Sequence, residues 1–414
     1  MSVEKNVPEI RFKGFSGEWV QHNLGKLIDI RSAARVHKEQ WTESGVPFFR
    51  TSDVVSIYKG QENTKAFISY DVYKELTGKI GKVSSGDLLV TGGGSIGIPF
   101  LVPNDEPLYF KDADLLWFKN DQKFDGYFLY TFLFSETFKK YIKSISHIGT
   151  IAHYTIEQAK STPINNCERA EQTAIGNTFH KLDNLINQHQ QKHDKLSSIK
   201  KAMLEKMFTK QGETIPEIRF KGFSGEWVEV TLGEYAIFTK GQGYSKSDLS
   251  ESGTPIILYG RLYTKYQTAI SQVDTFAIEK SKSVKSIGNE VIVPASGESS
   301  EDIARASAVC ESGVILGGDL NIIYPNDEIN PVFLALVISN GYPQKALASK
   351  AQGKSVVHIR NRDLADLLFT MPKKEEQTAI GNYFQKLDAL INQHQQQIIK
   401  LTNIKQACLS KMFV

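Results

Sequence analysis

One glycine pattern in the sequence has the spacing that binds the phosphates of a dinucleotide. Gly92-x-Gly94-x-x-Gly97 directly follows DLLVT at 87–91, which has the composition of a buried strand. A dinucleotide site also needs a helix that begins after the glycines, because its first N–H groups hold the phosphate. Pro99 follows at once, and no helical pattern begins there. The pattern therefore favours a loop that turns the chain or lets its backbone approach a partner.

Other candidate chemical motifs are incomplete. Gly353-Lys354-Ser355 resembles the end of a P-loop, but Ala348 replaces its leading glycine and no clear strand precedes it. The sequence has no Asp/Asn-Pro-Pro-aromatic motif of the kind that adenine methyltransferases use, and no convincing nuclease carboxylate cluster. We therefore expect no catalytic residue, no metal site and no cofactor in this chain.

The composition is that of a globular protein without strong charge. The 414 residues suggest about two to four domains, and a formal net charge of +3 excludes a histone-like protein without excluding local basic surfaces. The sequence has no apolar run of about 18 residues and no signal-peptide core near Met1, so we expect a cytoplasmic protein. Three widely separated cysteines predict reduced, buried thiols at Cys167, Cys310 and Cys408.

An internal repeat organises the elements that must carry any binding residues. Pro8–Val20 reads PEIRFKGFSGEWV, and Pro216–Val228 repeats all 13 residues. The match continues through Leu-Gly pairs and Glu-Ser-Gly-x-Pro turns, at Leu24-Gly25 and Leu232-Gly233, and at Glu43–Pro47 and Glu251–Pro255. The segments beyond these openings diverge almost completely. Two bodies of different sequence are therefore set into one repeated frame.

The bodies themselves predict a mixture of strands and short helices. Asp87–Thr91 and Glu290–Val293 have the composition of buried strands. Tyr127–Ile142 and Pro331–Ser339 have helical patterns. The expected fold class is therefore α+β.

A second repeat predicts two long helices. Glu171–Phe208 and Glu376–Phe413 share 27 of 38 residues, and each would span roughly 55–60 Å. Because one narrow apolar seam cannot be buried alone, we expect the helices to pair as an antiparallel coiled coil, with Asn165 and Glu168 capping the first. The seam has a/d spacing, at Ile175, Phe179, Leu182, Ile186 and Leu196, and at Ile380, Phe384, Leu387, Ile391 and Leu401.

The order of these motifs resembles a specificity subunit of a type I restriction-modification system over essentially the whole chain. The likeness rests on the PEIRF-x-GF-x-GEW openings, the Leu-Gly and Gly-x-Pro turns, Gly94–Gly97, and the Glu-Gln pairs at Glu171 and Glu376. All of these except Gly94–Gly97 occur twice, in the same order. In the second body Ala295–Gly297 replaces the Gly-Ser-Ile-Gly segment, which leaves the correspondence of the loops open.

The resemblance implies a non-catalytic DNA-binding subunit. Two target-recognition domains, at 1–165 and 213–372, would each read one half of a split, asymmetric site in double-stranded DNA. The helices, at 166–212 and 373–414, would space the domains and dock two copies of an adenine methyltransferase subunit. Restriction subunits with nuclease/translocase activity would join the complex. A pseudo-twofold frame suits two equal copies of one partner, and helices of this length suggest a footprint of about 15 base pairs.

Candidate DNA contacts are polar residues that lie near the frame in each body. Arg and Gln suit base reading, and Lys suits phosphates. In the first body they are Arg31, Arg35, His37, Lys38, Arg50, Thr51, Ser52, Gly94 and Ser95. In the second body they are Lys240, Gln242, Tyr244, Lys246, Tyr259 and Arg261. As a group these residues favour DNA binding.

Two other interpretations stay open from the sequence. In the first, the chain is a fused nuclease or methyltransferase with degenerate motifs. In the second, it is a coiled-coil adaptor that bridges proteins without reading DNA. Two histidines also precede the long helices at corresponding places, in Gly149-x-x-x-His153 and Gly353-x-x-x-x-His358. We interpret them as structural histidines rather than as contacts.

Overall fold

The computed structural model describes residues 6–145, 153–353 and 356–414. The chain divides into two compact units, Met1–His189 with Gln397–Val414, and Gln190–Gln396. Each unit therefore holds one body and a part of both long helices. The domain boundaries expected from the sequence remain predictions. Gly149, and Lys354 and Ser355 of the P-loop-like segment, lie outside the described residues.

The first unit mixes strands with short helices. Its strands are β1 (Val20–Asn23), β2 (Asp29–Arg31), β3 (Trp41–Thr42), β4 (Val46–Phe49), β5 (Phe67–Ile68), β6 (Leu88–Thr91), β7 (Pro99–Leu101), β8 (Tyr109–Phe110), β9 (Leu115–Lys119) and β10 (Pro163–Asn166). Its short helices are α1 (Thr51–Lys59), α2 (Tyr70–Ile80), α3 (Gly126–Phe132), α4 (Glu136–Ile145) and α5 (Ile156–Lys160). The long helix α6 (Arg169–Lys206) follows and continues into the second unit.

The second unit has the same mixture. Its strands are β11 (Val228–Thr231), β12 (Ala236–Lys240), β13 (Leu249–Ser250), β14 (Thr254–Ile257), β15 (Ala269–Ile270), β16 (Phe276–Ala277), β17 (Lys285–Ile287), β18 (Val291–Pro294), β19 (Ser296–Gly297), β20 (Ser307–Val309), β21 (Ser312–Leu316), β22 (Leu320–Pro325), β23 (Val357–His358) and β24 (Leu368–Met371). Its short helices are α7 (Arg261–Thr264), α8 (Ser300–Ile303), α9 (Pro331–Ile338), α10 (Gly341–Lys350) and α11 (Asn361–Ala365). The second long helix, α12 (Lys374–Lys411), ends in the first unit.

The sheets of the two units have the same strand order despite their different sequences. In the first unit the orders are β2-β9-β6-β7 and β3-β5-β4-β8. In the second they are β12-β22-β18-β20-β15 and β13-β16-β14-β21-β17, which repeats both sheets and adds an edge strand to each. β4 pairs with β8 in parallel, as β14 pairs with β21. A two-stranded ribbon completes each frame, β1-β10 and β11-β24.

Apolar runs place β6 and β18 inside these sheets. Every residue of LLVT in β6 and of VIVP in β18 is buried, which is typical of a strand that is covered on both faces. In the first unit, Leu88 and Val90 of β6 belong to one core while Leu89 belongs to another. Successive residues of a strand point to opposite faces, so this sheet is packed on both sides.

The long helices pack against each other, antiparallel, within each unit. In the first unit the rings of Phe179 and Phe413 are 6.1 Å apart, and Lys405 pairs with Asp183 at 2.5 Å. In the second unit the rings of Phe208 and Phe384 are 6.1 Å apart, and Lys200 pairs with Asp388 at 2.5 Å. Phe208 and Phe413 lie just beyond the ends of α6 and α12, and in both units a higher residue number on the first chain segment pairs with a lower one on the second, which makes the pairing antiparallel. The predicted fold class, α+β with two antiparallel long helices, is confirmed.

Burial along the predicted seam is strongest near the start of each long helix. The buried seam residues are Ile175, Phe179, Ile380, Phe384 and Leu387, and the half-buried ones are Leu182, Ile186, Leu196, Ile391 and Leu401. The start of each helix packs into the core of its own unit. In the middle of each helix, only a narrow apolar stripe is available for burial.

The single helix predicted over Tyr127–Ile142 is wrong, because the structure has α3 and α4 there. The break occurs where the Phe134 N–H donates to Thr131 and the Ser135 N–H donates to Phe132, three residues back rather than four. The buried Ser135 then accepts a hydrogen bond from the Phe138 N–H at 3.3 Å, which starts α4. A buried hydroxyl thus acts as a helix cap that the apolar pattern conceals.

Two smaller expectations are also corrected. Asn165 does not cap α6, since it lies in β10 and its side-chain amide donates to the Val414 carbonyl at 2.7 Å. All three cysteines are free thiols, but Cys310 is exposed, while Cys167 and Cys408 are half-buried. Their predicted burial is therefore wrong for Cys310, which directly follows the end of β20.

A buried ion pair holds each repeated opening to the start of a long helix. Arg11 donates to both carboxylate oxygens of Glu171 at 2.6 and 2.7 Å, and Arg219 does the same to Glu376 at 2.6 Å each. The glutamate side chains are only 1% and 2% exposed. The hydrogen bond with Glu171 raises the pKa of the Arg11 guanidinium above its ordinary value. The pair therefore fixes where each opening meets its helix.

Removing one member of this pair should destabilise its unit strongly. We expect Glu171→Ala to lower the free energy of unfolding by about 3 kcal/mol, because Arg11 would stay largely buried without its partner. Glu376→Ala should have a similar effect. Glu75→Ala removes the exposed pair with Lys79 and is the matched control, with a far smaller effect. Urea denaturation followed by circular dichroism measures all three, and equal effects of Glu171→Ala and Glu75→Ala would contradict the assignment.

Candidate nucleic-acid interface

The Gly-Ser-Ile-Gly segment forms a tight loop that the end of β6 holds in place. The buried Thr91 hydroxyl donates to the Ser95 carbonyl and accepts from the Ile98 N–H at 2.9 Å. Gly94 has a φ of +71°, a region that glycine enters at low cost. Gly94 and Ser95 are exposed. The loop therefore presents its backbone and one hydroxyl from a fixed position.

Glycine at position 92 lets three segments meet at the end of β6. The Gly92 N–H donates to the Asp114 carbonyl at 2.9 Å, and the Gly92 carbonyl accepts from the Tyr154 N–H at 2.8 Å. A Cβ at this position would lie 2.9 Å from the Tyr154 carbonyl oxygen, so a larger residue would force the segments apart. The Thr51 hydroxyl donates to the same Asp114 carbonyl at 3.2 Å. Glycine thus allows the close approach of these segments in the first unit.

These contacts gather polar groups at one edge of the first unit. The Ser32 hydroxyl accepts from the Ala113 N–H at 2.9 Å. Gly93 forms an isolated β-bridge with His153, whose side chain is exposed. We call this surface the first edge patch, and it consists of Ser32, Thr51, Gly93, Gly94, Ser95, Asp114 and His153.

The first edge patch brings together three of the contacts predicted from the sequence, Thr51, Gly94 and Ser95. Its one carboxylate, on Asp114, forms an ion pair with Lys111. Negative charge on the patch is therefore compensated within the unit. The groups of this patch that could contact a partner are hydroxyls, backbone groups and an imidazole.

The second unit has a matching patch, although its loop sequence differs. The Ala295 N–H donates to the Asp319 carbonyl at 2.7 Å, and the Ala295 carbonyl accepts from the Ile359 N–H at 3.2 Å. Ser296 pairs with His358 across β19 and β23, and the Ser296 hydroxyl lies 3.1 Å from His358 Nδ1. These are the bonds that Gly92 and Gly93 make in the first unit. The second edge patch therefore consists of Ser296, Asp319 and His358, and the two loops correspond.

Two predicted arginine contacts are engaged within the first unit. Arg31 pairs with Asp29 and lies over the Trp117 ring at 5.7 Å. Arg50 donates to both carboxylate oxygens of Asp53 at 2.9 and 3.1 Å, and the hydrogen bond raises the pKa of Arg50. Both guanidinium groups therefore hold the body together and have less freedom to read a base.

The other predicted contacts of the first body, Arg35, His37, Lys38 and Ser52, are exposed. Arg35, His37 and Lys38 have exposed side chains in the segment that leads to β3. The exposed Ser52 accepts a hydrogen bond from the Asn63 amide at 3.1 Å. These four residues remain available as contacts, although no bond joins them to the first edge patch.

In the second unit, two predicted contacts serve the interior. Tyr244 is buried, its hydroxyl bonds to Ser283, and the Lys280 ammonium lies 4.6 Å from its ring centre. The Arg261 side chain is 8% exposed and pairs with Asp274 at 2.6 Å. Exposed positions remain at Lys240, Gln242, Lys246 and Tyr259. These partners, Ser283 and Asp274, could not be predicted from local sequence, because both lie more than ten residues away along the chain.

The structure brings both matched histidines, His153 and His358, to an edge patch, and both are exposed. The structural role predicted for them stays a prediction. The usable signal was their similar distance from the two long helices. The patches could not be seen from the sequence, because each joins segments that lie far apart along the chain.

Within 6–145, 153–353 and 356–414, no group of three or more His, Cys, Asp or Glu side chains is placed to hold a metal ion. Burial raises the pKa of the Cys167 thiol to about 12, which makes it a poor nucleophile near neutral pH.

Across the described ranges, the helices are too short or too polar to cross a membrane.

Known proteins resemble this chain in sequence and in fold. The profile of the type I restriction modification DNA specificity domain matches twice, at residues 16–198 and 224–403. The MjaVIII type I restriction enzyme specificity subunit of Methanocaldococcus jannaschii is 22% identical over 284 residues, which span 66% of this chain and 65% of that relative. The crystal structure of the type I restriction-modification S subunit from M. genitalium aligns with a TM-score of 0.63 at 17% identity, covering 99% of both chains.

The two profile matches coincide with the two copies of the frame and its body. The structural alignment extends the likeness of fold to nearly every residue of the chain. Since the profile covers most of the sequence, the chain belongs to the family of type I restriction-modification specificity subunits.

Proposed function

We propose that this chain is the DNA-reading subunit of a larger enzyme, in which each unit recognises one half of a two-part, asymmetric site in duplex DNA. One observation carries the proposal: two bodies with the same strand order and different sequences stand on one repeated frame. A shared fold presents equivalent loops to DNA, while different side chains on those loops read different bases. Family membership supports this assignment.

The exposed candidates suit the two parts of such an interface. Lys38, Lys240 and Lys246 are exposed cations that suit phosphates, whereas Arg35 and Gln242 have the fork geometry that suits base edges. The engaged groups, among them Arg50 and Arg261, would shape the loops rather than read DNA. Recognition would therefore depend on fewer side chains than the sequence suggests.

A repeated groove supports the docking of two copies of one methyltransferase subunit. In the first unit a groove of about 870 Å³ lies between the body and the long helices, and in the second a groove of about 520 Å³ does so. Eight helix positions line the first groove and have counterparts, 205 positions away along the sequence, that line the second: His180, Asp183, Ile186, Asn187, Thr402, Lys405, Gln406 and Leu409. Equal surfaces in one chain suit equal partners.

The body side of each groove differs, which leaves the helices as the shared element. Tyr58, Tyr127 and Phe134 line the first groove, whereas Tyr266 and Gln267 line the second. A partner that docks in both must therefore depend mainly on the helix positions. Adenine methylation would come from that partner, and DNA cleavage from restriction subunits that join the same complex.

Binding to duplex DNA should be strong and steeply dependent on salt. We expect the chain, assembled with its methyltransferase subunit, to lose about 10³-fold or more in affinity between roughly 50 and 200 mM salt, as for proteins with several phosphate contacts. Fluorescence anisotropy on a labelled duplex measures this. The isolated chain should not bind S-adenosylmethionine. Absence of DNA binding would favour an adaptor, and binding of S-adenosylmethionine would favour a fused methyltransferase.

Each body should be exchangeable as a cassette. Replacing residues 21–165 with the body of another specificity subunit should change only one half of the recognised site, because the frame that carries the body is repeated. The reciprocal replacement of the body that follows Pro216–Val228 should change only the other half, and serves as the control. Mapping methylated adenines in cells that express the complex reads out both halves. A change in both halves from one exchange would sink the modular assignment.

Shortening both long helices should shorten the gap between the half-sites. Deleting Gln188–Asp194 together with Gln393–Ile399 removes one heptad from each helix, or about 10 Å, near three base pairs of DNA rise. The domains would also rotate, so the new gap need not be a simple subtraction. A five-residue deletion is the control, since it moves Leu196 and Leu401 off the seam and should destabilise the chain. An unchanged gap in a folded seven-residue variant would show that the helices do not set the spacing.

A further inference from the structure

The two bodies differ almost throughout, yet each carries an exposed histidine at the same backbone position. His153 bridges to Gly93, and His358 pairs with Ser296. The residue before each bridge partner, Gly92 or Ala295, makes the same two backbone hydrogen bonds in its unit. The equivalence therefore rests on the hydrogen-bonded backbone and not on sequence alignment.

Neither histidine has an interior role. Both side chains are exposed, and the core clusters of the described residues do not include them. The described part of the chain also has no metal-binding group to which either could belong. Each exposed imidazole is carried by a backbone position that a β-bridge holds in place, and it can therefore meet a partner.

The geometry at His358 sets which ring nitrogen meets that partner. Its Nδ1 lies 3.1 Å from the Ser296 hydroxyl. When the hydroxyl donates to Nδ1, the neutral ring carries its proton on Nε2 and presents an N–H donor. Phosphate oxygens are acceptors without donors at neutral pH, so they suit this group.

The surroundings of each histidine let a rigid backbone come close. Gly93 and Gly94 have no side chains on the first edge patch, and Ser296 has a small one on the second. In the second unit the Asn361 amide donates to the Thr239 carbonyl at 3.0 Å. That bond places the strand end carrying exposed Lys240 beside the turn carrying exposed Arg360, close to His358 in the chain.

A residue that both bodies share should contact a feature that both half-sites share. Bases differ between the two halves of an asymmetric site, but the sugar-phosphate backbone does not. We infer that His153 and His358 each donate a hydrogen bond to a DNA phosphate and so position their bodies on the duplex. This inference rests on the proposed DNA-reading function, and it assigns the histidines to positioning rather than to sequence selection.

The test compares His153→Ala, His358→Ala and the double variant in the full chain, assembled with its methyltransferase subunit. Each single change should weaken binding about fivefold, and the double change about 25-fold, since the two sites lie in different units. The loss should be equal on a duplex that carries the mapped site and on one with both half-sites scrambled. His193→Ala, on α6 and away from both patches, is the control and should leave affinity unchanged.

The outcomes separate this inference from the proposed function. If the wild-type assembly binds DNA and the variants bind equally well, the histidines are not contacts, while the proposed function stands. A loss confined to the mapped site would make them base readers and would overturn the phosphate assignment. If the wild-type assembly binds no DNA, both proposals fail. Restoration of binding by His153→Lys and His358→Lys would support phosphate contacts, because lysine supplies a donor with positive charge.

Discussion

A long helix with one narrow apolar stripe cannot be buried unless a second helix covers it, and this constraint shapes both units. Each helix of 38 residues begins in the core of one unit and ends in the other. In each unit an aromatic pair closes the contact, Phe179 with Phe413 and Phe208 with Phe384. The ion pairs Asp183–Lys405 and Lys200–Asp388 also join the two helices, one pair in each unit. The pairing explains why the sequence keeps these helices alike while the bodies diverge.

The two bodies keep the same core strands and strand order although their surface residues differ. The buried strands β6 and β18 keep a four-residue apolar run, and the orders of the surrounding strands are the same. What differs is the side-chain chemistry at the edges, including Gly92 where the second body has Ala295. The main-chain bonds at that position are nevertheless equivalent. Core patterning therefore fixes the shared strand order, while the edges differ both in side-chain chemistry and in the strand that the second unit adds to each sheet.

Much of this architecture could be predicted from the sequence, because repeats and periodicity are local signals. The two long helices, the α+β class and the buried strands all followed from spacing and composition. The predicted helix at Tyr127–Ile142 failed because the capping role of Ser135 depends on its burial, which no local pattern shows. For a related reason, the sequence did not show which candidate DNA contacts are engaged within their own unit. Tyr244 and Arg261 have suitable side chains, but their partners Ser283 and Asp274 are distant in sequence.

The two repeated openings place identical sequences in different electrostatic surroundings. The Trp19 indole N–H donates to the Glu171 carboxylate at 3.3 Å, whereas the buried Trp227 indole N–H has no acceptor among the described residues. Each ring lies against a phenylalanine from the end of a long helix, Phe413 or Phe208. The emission of an indole depends on its hydrogen bond and its local field. Trp19 and Trp227 therefore differ in the hydrogen bond of the indole N–H, although the thirteen-residue openings that contain them are identical.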